Sequence, residues 1–322
     1  MAGEFNLIEK YFVGRHQQRR DVLLAAGDDC ALVQVPQGLS VAISTDTLVS
    51  GTHFLPEANP AWVAHKALAS NISDLAAMGA TPAWVSFALT MPKPDEAWLA
   101  PFCDAFFELA DYFGIQLIGG DTTKGPLSLT LTVQGLVAPD NALRRDGAKA
   151  GDWVYVTGDL GDSKAGLEVI LNRDEGEGKP FARELEQRHY LSTPRVLVGQ
   201  ALLGLASSAI DISDGLISDV QHILQRSKVG ASIDASKLPV SNELVQFLGD
   251  PQKAQQYALT SGEEYELCFT VPEQNQGAIE SALAHCGAKF TCIGQIRPEG
   301  IFEIHSQGEA LNWSLSGYDH FQ

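Results

Sequence analysis

The chain has 322 residues, 45% of them hydrophobic, which is enough for about two domains with full cores. Its 22 basic and 40 acidic residues give a formal net charge of −18, which argues against a nucleic-acid partner because phosphate backbones are bound by basic patches. Such a chain can still bind phosphorylated small molecules when divalent cations lie between the two anions.

The first segment, residues 1–12, predicts an amphipathic helix because Phe5, Ile8 and Phe12 recur at helical spacing. No run in the sequence approaches the ~20 apolar residues that cross a bilayer, so we expect no membrane segment. The five cysteines form no Cys-x-x-Cys pair, which favours reduced thiols in the cytoplasm over a disulfide framework or a zinc site. We therefore expect a soluble cytoplasmic protein.

Two carboxylates, Asp28 and Asp29, follow a glycine and precede the predicted strand 31–35. The motif is typical of an ordinary turn, and neighbouring side chains in extended backbone point in opposite directions. A metal-binding role at this position therefore depends on other carboxylates that converge on it.

The apolar run 41–43 predicts a short buried strand, and Ser44, Thr45 and Asp46 follow it as hard oxygen ligands. His53 comes seven residues after Asp46, beyond a glycine. Alone, the stretch is typical of a turn after a strand. The same pattern, an apolar segment that ends in an aspartate, recurs at Asp29, Asp74, Asp121, Asp211 and Asp214. This recurrence is the strongest signal for a shared cation site.

Residues 60–79 predict a helix, since Pro60 suits a helix start and Gly79 a helix stop. Asn71 and Asp74 are three residues apart and therefore share one side of it. A carboxylate in so alanine-rich a helix is costly to bury alone. The pattern thus leaves two alternatives for Asp74, a metal ion or a basic side-chain partner.

A predicted strand at 115–118 leads into a glycine-rich loop at 119–126, which contains Gly120, Asp121 and Lys124. The loop gathers amides, hydroxyls, a carboxylate and a cation, as phosphate-binding loops do. It is not a Walker A sequence, and no such sequence occurs in the chain. The loop alone is weak evidence for a nucleotide.

The polar stretch 138–152 separates two α/β-patterned halves and predicts the domain junction. It carries the pair Arg144 and Arg145, which suits an anion, although linker arginines are commonly solvated. In the second half, the glycine spacing at 158–166 differs from Gly-x-Gly-x-x-Gly, which argues against a Rossmann dinucleotide site.

A second site is predicted around residues 209–216, where Asp211 and Ser213 alternate to one face of a strand end. Asp214 is predicted to begin a helix that runs to about residue 227, whose amides can meet a phosphate. The spacing does not match an EF-hand. Near the end of the chain, Glu263 precedes an apolar strand, and Tyr318 can stack on a planar ring or fill a core.

Together these motifs resemble the thiamine-monophosphate kinase family, within the superfamily shared with aminoimidazole ribonucleotide synthetase and selenophosphate synthetase. The resemblance spans nearly the whole chain. The motifs that carry it are residues 27–31, 44–54, 71–82, 119–123, 211–215 and 262–267, with the tail 317–321. Two residues depart from the family pattern: Lys124 stands where arginine is common, and Glu264 where aspartate is usual.

The resemblance implies a mixed α/β fold (α+β) of two domains. Residues 1–148 would form an N-terminal domain that binds ATP and magnesium and dimerises through a barrel-like sheet. Residues 149–322 would form a C-terminal α/β domain that completes the nucleotide and substrate site. The expected assembly is a homodimer, without nucleic acid or membrane as partner.

The resemblance also implies the activity, ATP-dependent phosphorylation of thiamine monophosphate to thiamine diphosphate, with several Mg²⁺ ions. The implied magnesium ligands are Asp29, Ser44, Thr45, Asp46, Asp74, Asp121, Asp211 and Asp214. The implied ATP residues are Gly120, Asp121, Arg145 and Ser213, and the implied acceptor residues are His53, Glu263 and Tyr318. Asp46, Asp74 and Asp121 are expected to matter most.

The chemistry expected from charge needs no general base, because a phosphate monoester with a second pKa near 6 is already a nucleophile at neutral pH. Three alternatives stay open. A related superfamily enzyme would use another acceptor, a metal-dependent phosphohydrolase would explain the carboxylates alone, and a nucleotide-binding scaffold would not need so many carboxylates.

Overall fold

A computed structural model describes residues 4–15, 18–172, 178–287, 289–311 and 313. The chain divides into two compact units. Unit 1 comprises Met1–Leu75 and Ala80–Asp140, and unit 2 comprises Ala76–Gly79 and Asn141–Gln322. Strands and helices occur in both units, which confirms the predicted mixed α/β class. In the described part of the chain, no helix is both long enough and apolar enough to span a membrane.

Unit 1 is built on a four-stranded sheet with strand order β3-β6-β4-β5, in which β4 and β5 are parallel and the other neighbours antiparallel. A two-stranded antiparallel ribbon, β1-β2, lies outside it. The strands are β1 Val22–Leu24, β2 Leu32–Val33, β3 Ser40–Val49, β4 Thr81–Met91, β5 Gln116–Lys124 and β6 Ser128–Val137. The helices are α1 Glu4–Tyr11, α2 Pro60–Ala77 and α3 Glu96–Tyr112.

One face of the four-stranded sheet is packed against helices. Phe87 of β4 stacks on Phe102 and Phe106 of α3, with ring centroids 5.7 Å apart in both pairs. The buried alternate residues of β6, Leu129 and Leu131, point to the same face. The other face carries exposed positions such as Thr45 and Ala88, so the sheet has one covered face and one exposed face.

Unit 2 is built on a seven-stranded mixed sheet with strand order β13-β12-β9-β11-β7-β10-β8. Its strands are β7 Trp153–Thr157, β8 Ser208–Asp211, β9 Gly230–Asp234, β10 Leu267–Val271, β11 Phe290–Arg297, β12 Phe302–Ser306 and β13 Glu309–Ala310. Its helices are α4 Asp162–Leu171, α5 Ala182–Tyr190, α6 Val196–Ala201, α7 Leu216–Ser227, α8 Asn242–Leu248, α9 Pro251–Thr260 and α10 Gln276–Leu283. The core packs the apolar side of α7 against the sheet, including Val220 and Ile223.

Three local predictions are wrong. The strand predicted at 41–43 extends from Ser40 to Val49, and its residue Ile43 is 66% exposed, not buried. The predicted glycine-rich loop 119–126 is largely strand, because β5 continues to Lys124 beside β4. Asp214 does not begin α7: the helix starts at Leu216, with Gly215 as its N-cap at a φ of 110°.

Candidate functional site

A pair of carboxylates lies between β3 and α2 in unit 1. Ser44 and Asp46 are two residues apart on β3 and share the face that meets α2. The Ser44 hydroxyl donates to Asp74 Oδ2 at 2.5 Å. The backbone N–H of Asp46 donates to Asn71 Oδ1 at 3.2 Å, and the Asn71 amide in turn donates to the carbonyl of Ala67. The wholly buried Asn71 thus ties the strand to the helix that carries Asp74.

The electrostatics of this pair oppose ionisation. Burial, followed by the charge of Asp74, raises the pKa of Asp46 to about 6. Both influences act in the same direction, because a desolvated carboxylate and a like-charged neighbour each disfavour the charged form. A cation bound here would relieve both effects. The set of two carboxylates and a hydroxyl is also the hard-oxygen chemistry that magnesium prefers.

The side chain of Thr45 lies on the opposite face of β3, where its hydroxyl is 2.9 Å from that of Thr132. Asp121 also belongs to that exposed face, since it pairs with Ala88, which pairs with Thr130. Two strands, β6 and β4, separate β5 from β3, a span of roughly 14 Å at usual strand spacing. Unit 1 of a single chain therefore does not gather Thr45 and Asp121 with Asp46 and Asp74.

Gly120 has a structural reason to be glycine. A Cβ at this position would lie 1.9 Å from the carbonyl oxygen of Phe87 on the neighbouring strand. The close approach of β4 and β5 therefore excludes any side chain at Gly120. The backbone of this residue is exposed on the edge strand, next to Asp121.

His53 lies in the turn after β3, where its Nδ1 accepts a hydrogen bond from the backbone N–H of Val49 at 3.0 Å. Its carbonyl oxygen accepts from the Nζ of Lys66 at 3.1 Å. Lys66, on α2, is only 1% exposed. The sequence reasoning missed this buried lysine, although a lysine within the apolar pattern of a helix was a visible signal.

The other candidates of the first half are exposed. Asp29 lies in the turn between β1 and β2, where its backbone N–H donates to Asp28 Oδ1 at 2.8 Å. Of the arginine pair, Arg144 binds Asp146 through two hydrogen bonds, of 3.0 and 2.6 Å. Arg145 has an exposed side chain, and its carbonyl accepts from Ser227.

In unit 2, the segment from Asp211 to Asp214 runs beside the segment that carries Glu263. The backbone N–H of Glu263 donates to the carbonyl of Ser213 at 2.7 Å, and that of Tyr265 donates to Ile212 at 2.9 Å. Glu263 and Tyr265 both have positive φ angles, 57° and 55°. Such backbone conformations are uncommon for residues other than glycine and concentrate at functional sites. The structure thus brings the segment with the predicted metal and nucleotide residues Asp211, Ser213 and Asp214 beside Glu263, one of the predicted acceptor residues.

Asp219 organises the turn that carries Ser213 and Asp214. Its Oδ2 accepts hydrogen bonds from the backbone N–H groups of Ser213, Asp214 and Gly215, at 3.0–3.1 Å. Burial raises the pKa of Asp219 to about 7, against the lowering effect of these amides. Ligand atoms of Asp214, Asp219 and His222 lie within 4.8 Å of one another. The sequence reasoning missed Asp219 and His222, which follow on the same helix at a spacing of three.

A pocket of about 320 Å³ lies next to the Glu263 segment in unit 2. It is lined by charged residues that pair with one another: Arg188 with Asp162 at 2.5 Å, Arg195 with Glu266 at 2.5 Å, and Lys289 with Asp159 at 3.1 Å. Its fourth carboxylate, Glu264, accepts from the backbone N–H groups of Gly161 and Ser163 at the start of α4. Burial raises the pKa of Glu264 to about 8.

Tyr318, predicted to contact the acceptor, lies outside the described residues. Lys124, the other departure from the family pattern, is exposed at the end of β5.

Comparisons with known proteins agree along the whole chain. The model of the AIR synthase related protein N-terminal domain matches residues 27–137, and that of the C-terminal domain matches residues 149–306. Thiamine-monophosphate kinase of Escherichia coli K12 is 54% identical over 322 residues, which cover 99% of this chain and 98% of the relative.

Solved structures give the same result. The crystal structure of thiamine-monophosphate kinase from Stenotrophomonas maltophilia K279a superposes with a TM-score of 0.86 at 42% identity, covering 96% of this chain and 98% of that one. AaThiL, solved in complex with AMPPCP and TMP, gives a TM-score of 0.78 at 32% identity, with 99% and 97% of the two chains covered.

Proposed function

Because the chain belongs to the thiamine-monophosphate kinase family, within the AIR synthase related proteins, we propose that it transfers the γ-phosphoryl group of ATP to thiamine monophosphate. The products are thiamine diphosphate and ADP. The relative that was solved with AMPPCP and TMP supports both substrates. The observation in this chain that carries the proposal is the coupled pair Asp46 and Asp74, whose mutual repulsion and burial call for a cation.

Magnesium is the cation that we assign to this set. The ligands proposed for several such ions are Asp29, Ser44, Thr45, Asp46, Asp74, Asp121, Asp211 and Asp214, of which Thr45 and Asp121 lie on the sheet face opposite to the Asp46 pair. The fit is best supported at Ser44, Asp46 and Asp74, which already lie together and offer only hard oxygen atoms. When bound, magnesium ions would neutralise phosphate charge and hold the reacting groups in line.

The reaction itself needs little from the side chains beyond charge and position. A phosphate oxygen of thiamine monophosphate attacks the γ-phosphorus, a new P–O bond forms, and the bond from that phosphorus to the ADP oxygen breaks. The attacking monoester is largely a dianion at neutral pH, so it needs no proton removed. What opposes transfer is repulsion between two anions, which bound magnesium would offset, while the protein fixes the two groups in position for attack.

The proposed substrate residues form two groups, one for ATP and one for thiamine monophosphate. We assign ATP to Gly120, Asp121, Arg145 and Ser213, where a backbone without side chain, an arginine and a hydroxyl suit phosphate oxygens. We assign thiamine monophosphate to His53, Glu263 and Tyr318. Glu263 supplies a negative charge for the cationic thiazolium, and an aromatic ring such as Tyr318 stacks well on a cation.

The same proposal gives nucleotide binding and dimerisation to residues 1–148, and completion of the nucleotide and substrate site to residues 149–322. The exposed face of the unit 1 sheet supports a homodimer, as do its edge strands β3 and β5, which pair with no further strand among the residues that the structure describes.

The thiols of all five cysteines are free, which supports a cytoplasmic location.

The direct test is product formation. Purified protein incubated with ATP, MgCl₂ and thiamine monophosphate should yield thiamine diphosphate and ADP in equal amounts, as resolved by chromatography. Release of inorganic phosphate with thiamine monophosphate left intact would contradict the proposal and favour a phosphohydrolase. Sedimentation should show twice the 34.6 kDa chain mass at micromolar concentration, whereas a monomer would contradict the dimer.

A further inference from the structure

A buried histidine in unit 2 connects the core to the proposed acceptor residue. His189, at the end of α5, is 2% exposed. Its Nδ1 lies 3.0 Å from the hydroxyl of Ser163 and 3.1 Å from the backbone carbonyl of Ser163. Its Nε2 lies 3.7 Å from Glu263 Oε2, within ion-pair range but longer than a hydrogen bond. The imidazole therefore faces Ser163 on one side and the Glu263 carboxylate on the other.

The packing of two helices fixes the position of this ring. At Gly166 of α4, a Cβ would lie 2.2 Å from the carbonyl oxygen of Leu185 and 2.9 Å from His189 Cβ, both on α5. Only glycine permits this approach, which places the end of α5 beside Ser163 at the start of α4. The ring is also held edge-on to Tyr190, with centroids 5.2 Å apart. His189 is thus a rigid part of the unit.

The hydrogen-bond chemistry of Ser163 orients the imidazole. A backbone carbonyl can only accept, so its contact with Nδ1 requires the hydrogen on that nitrogen. Nε2 is then the atom turned toward Glu263. In the imidazolium form Nε2 also carries a hydrogen and can donate it toward the carboxylate.

Other charged groups surround this contact on the packed elements. The Glu264 carboxylate accepts a hydrogen bond from the backbone N–H of Ser163 at 3.2 Å. Arg188, next to His189 on α5, is already engaged by Asp162 and Glu243. The Glu263 side chain itself is 29% exposed, so part of it is reachable from solvent.

We propose that His189 is a positioning residue for the acceptor substrate: anchored by Ser163, it holds the Glu263 carboxylate in the orientation that receives the thiazolium cation. The inference rests on the proposed function, because it needs Glu263 to contact that cation. His189 acts through Glu263 and touches neither phosphate group. Its loss should therefore affect recognition of the acceptor and leave recognition of ATP intact.

Steady-state kinetics of His189→Leu, His189→Gln and the exposed control His285→Gln test the proposal. We expect His189→Leu to raise KM for thiamine monophosphate about five- to tenfold, the size of one lost ion-pair contact, with KM for ATP and kcat within about twofold. His189→Gln, which can still donate toward Glu263, should recover part of the loss. His285→Gln should match the wild type.

A double-mutant cycle with Glu263→Gln separates positioning from a general structural effect. In the Glu263→Gln background, His189→Leu should no longer change KM for the acceptor. An equal effect in both backgrounds, or unchanged acceptor KM in the single variant, would overturn the inference. If the leucine variant fails to fold, the cycle is repeated with His189→Gln, and the change in KM for the acceptor is again compared with and without Glu263→Gln. A wild type that forms no thiamine diphosphate would instead defeat the proposed function.

Discussion

Carboxylates collect in both units of the molecule, but their surroundings differ. In unit 1, burial and the neighbouring Asp74 both raise the pKa of Asp46. In unit 2, burial raises the pKa of Asp162, but the Ser241 hydroxyl and the Arg188 guanidinium oppose that rise. Glu266 likewise receives two hydrogen bonds from Arg195 and one from Thr157.

The comparison separates two uses of the same residue type. A buried carboxylate that pairs with an arginine and accepts a hydrogen bond from a hydroxyl has its charge balanced inside the protein. Such a group has a structural role. A carboxylate that lies next to a second carboxylate destabilises the metal-free protein by charge repulsion, and a bound cation removes that repulsion. We therefore propose a cation site at the pair in unit 1 and a structural role for the Asp162–Arg188 and Glu266–Arg195 ion pairs in unit 2.

The largest effect is expected from the unit 1 pair. Asp46→Asn and Asp74→Asn keep side-chain size but remove a charged oxygen ligand, so each should lower turnover about 10²- to 10³-fold. The measurement is thiamine diphosphate formation across a magnesium titration, with the exposed Asp140→Asn as control. Turnover and magnesium dependence like those of the wild type in either variant would show that the pair is not a metal site.

The next largest effect is expected when the Arg195–Glu266 ion pair in unit 2 is broken. Arg195→Met leaves the buried Glu266 carboxylate without its bidentate partner, and we expect a loss of about 3 kcal/mol in the free energy of unfolding. Urea denaturation measures it. Arg195→Met with Glu266→Gln should recover part of the loss, since no buried charge then remains. A loss below about 0.5 kcal/mol for the single variant would place this pair among weak surface ion pairs.

The aspartates of the unit 1 pair could be predicted from the sequence, whereas the ion pairs of unit 2 could not. Asp46 and Asp74 were recognisable because each interrupts an apolar pattern. The length of β3 could not be predicted. Its residues Thr45 and Thr47 lie on an exposed sheet face, and a run of such polar residues in the sequence is also typical of a turn. In strand β5, Gly119 and Gly120 also suggest a loop, although close strand packing is the reason for Gly120.

Contacts between distant segments were beyond the reach of sequence patterns. The contact of Ser163 with His189 spans 26 residues, and nothing in the spacing of either residue reveals it. Arg195 and Glu266 are 71 residues apart. Asp219 was within reach, because an aspartate on the apolar side of α7 signals a buried hydrogen-bonding role.

A smaller effect concerns pH in metal-free buffer. The folded pKa of Asp46, about 6, exceeds its ordinary value of 3.8, so the folded state favours the protonated form. Stability contributed by this group is therefore present below pH 4 and lost as the pH rises through 6. Relative to Asp46→Asn, the wild type should lose roughly 1–3 kcal/mol between pH 4 and 7.5. Equal pH dependence in the two proteins would show that Asp46 ionises without cost.

The smallest effect concerns Glu264. Its Oε1 accepts two backbone N–H groups at the start of α4, as an N-cap does. Glu264→Ala should cost about 1 kcal/mol of stability, and Glu264→Gln, which keeps an accepting oxygen, less than about 0.5 kcal/mol. Thermal unfolding at pH 7 measures both. If the alanine variant is as stable as the wild type, the carboxylate does not act as a cap.

The central proposal, that the Asp46 and Asp74 pair of unit 1 serves a cation and the Asp162–Arg188 ion pair of unit 2 serves the fold, is tested most directly by magnesium-dependent melting. Tm is measured with 0 and roughly 10 mM MgCl₂, with and without ATP, for the wild type, Asp46→Asn and Asp162→Asn. We expect magnesium to raise Tm in the wild type and not in Asp46→Asn. Asp162→Asn should start lower and show the full magnesium increment. A magnesium increment that survives in Asp46→Asn and disappears in Asp162→Asn would contradict the account.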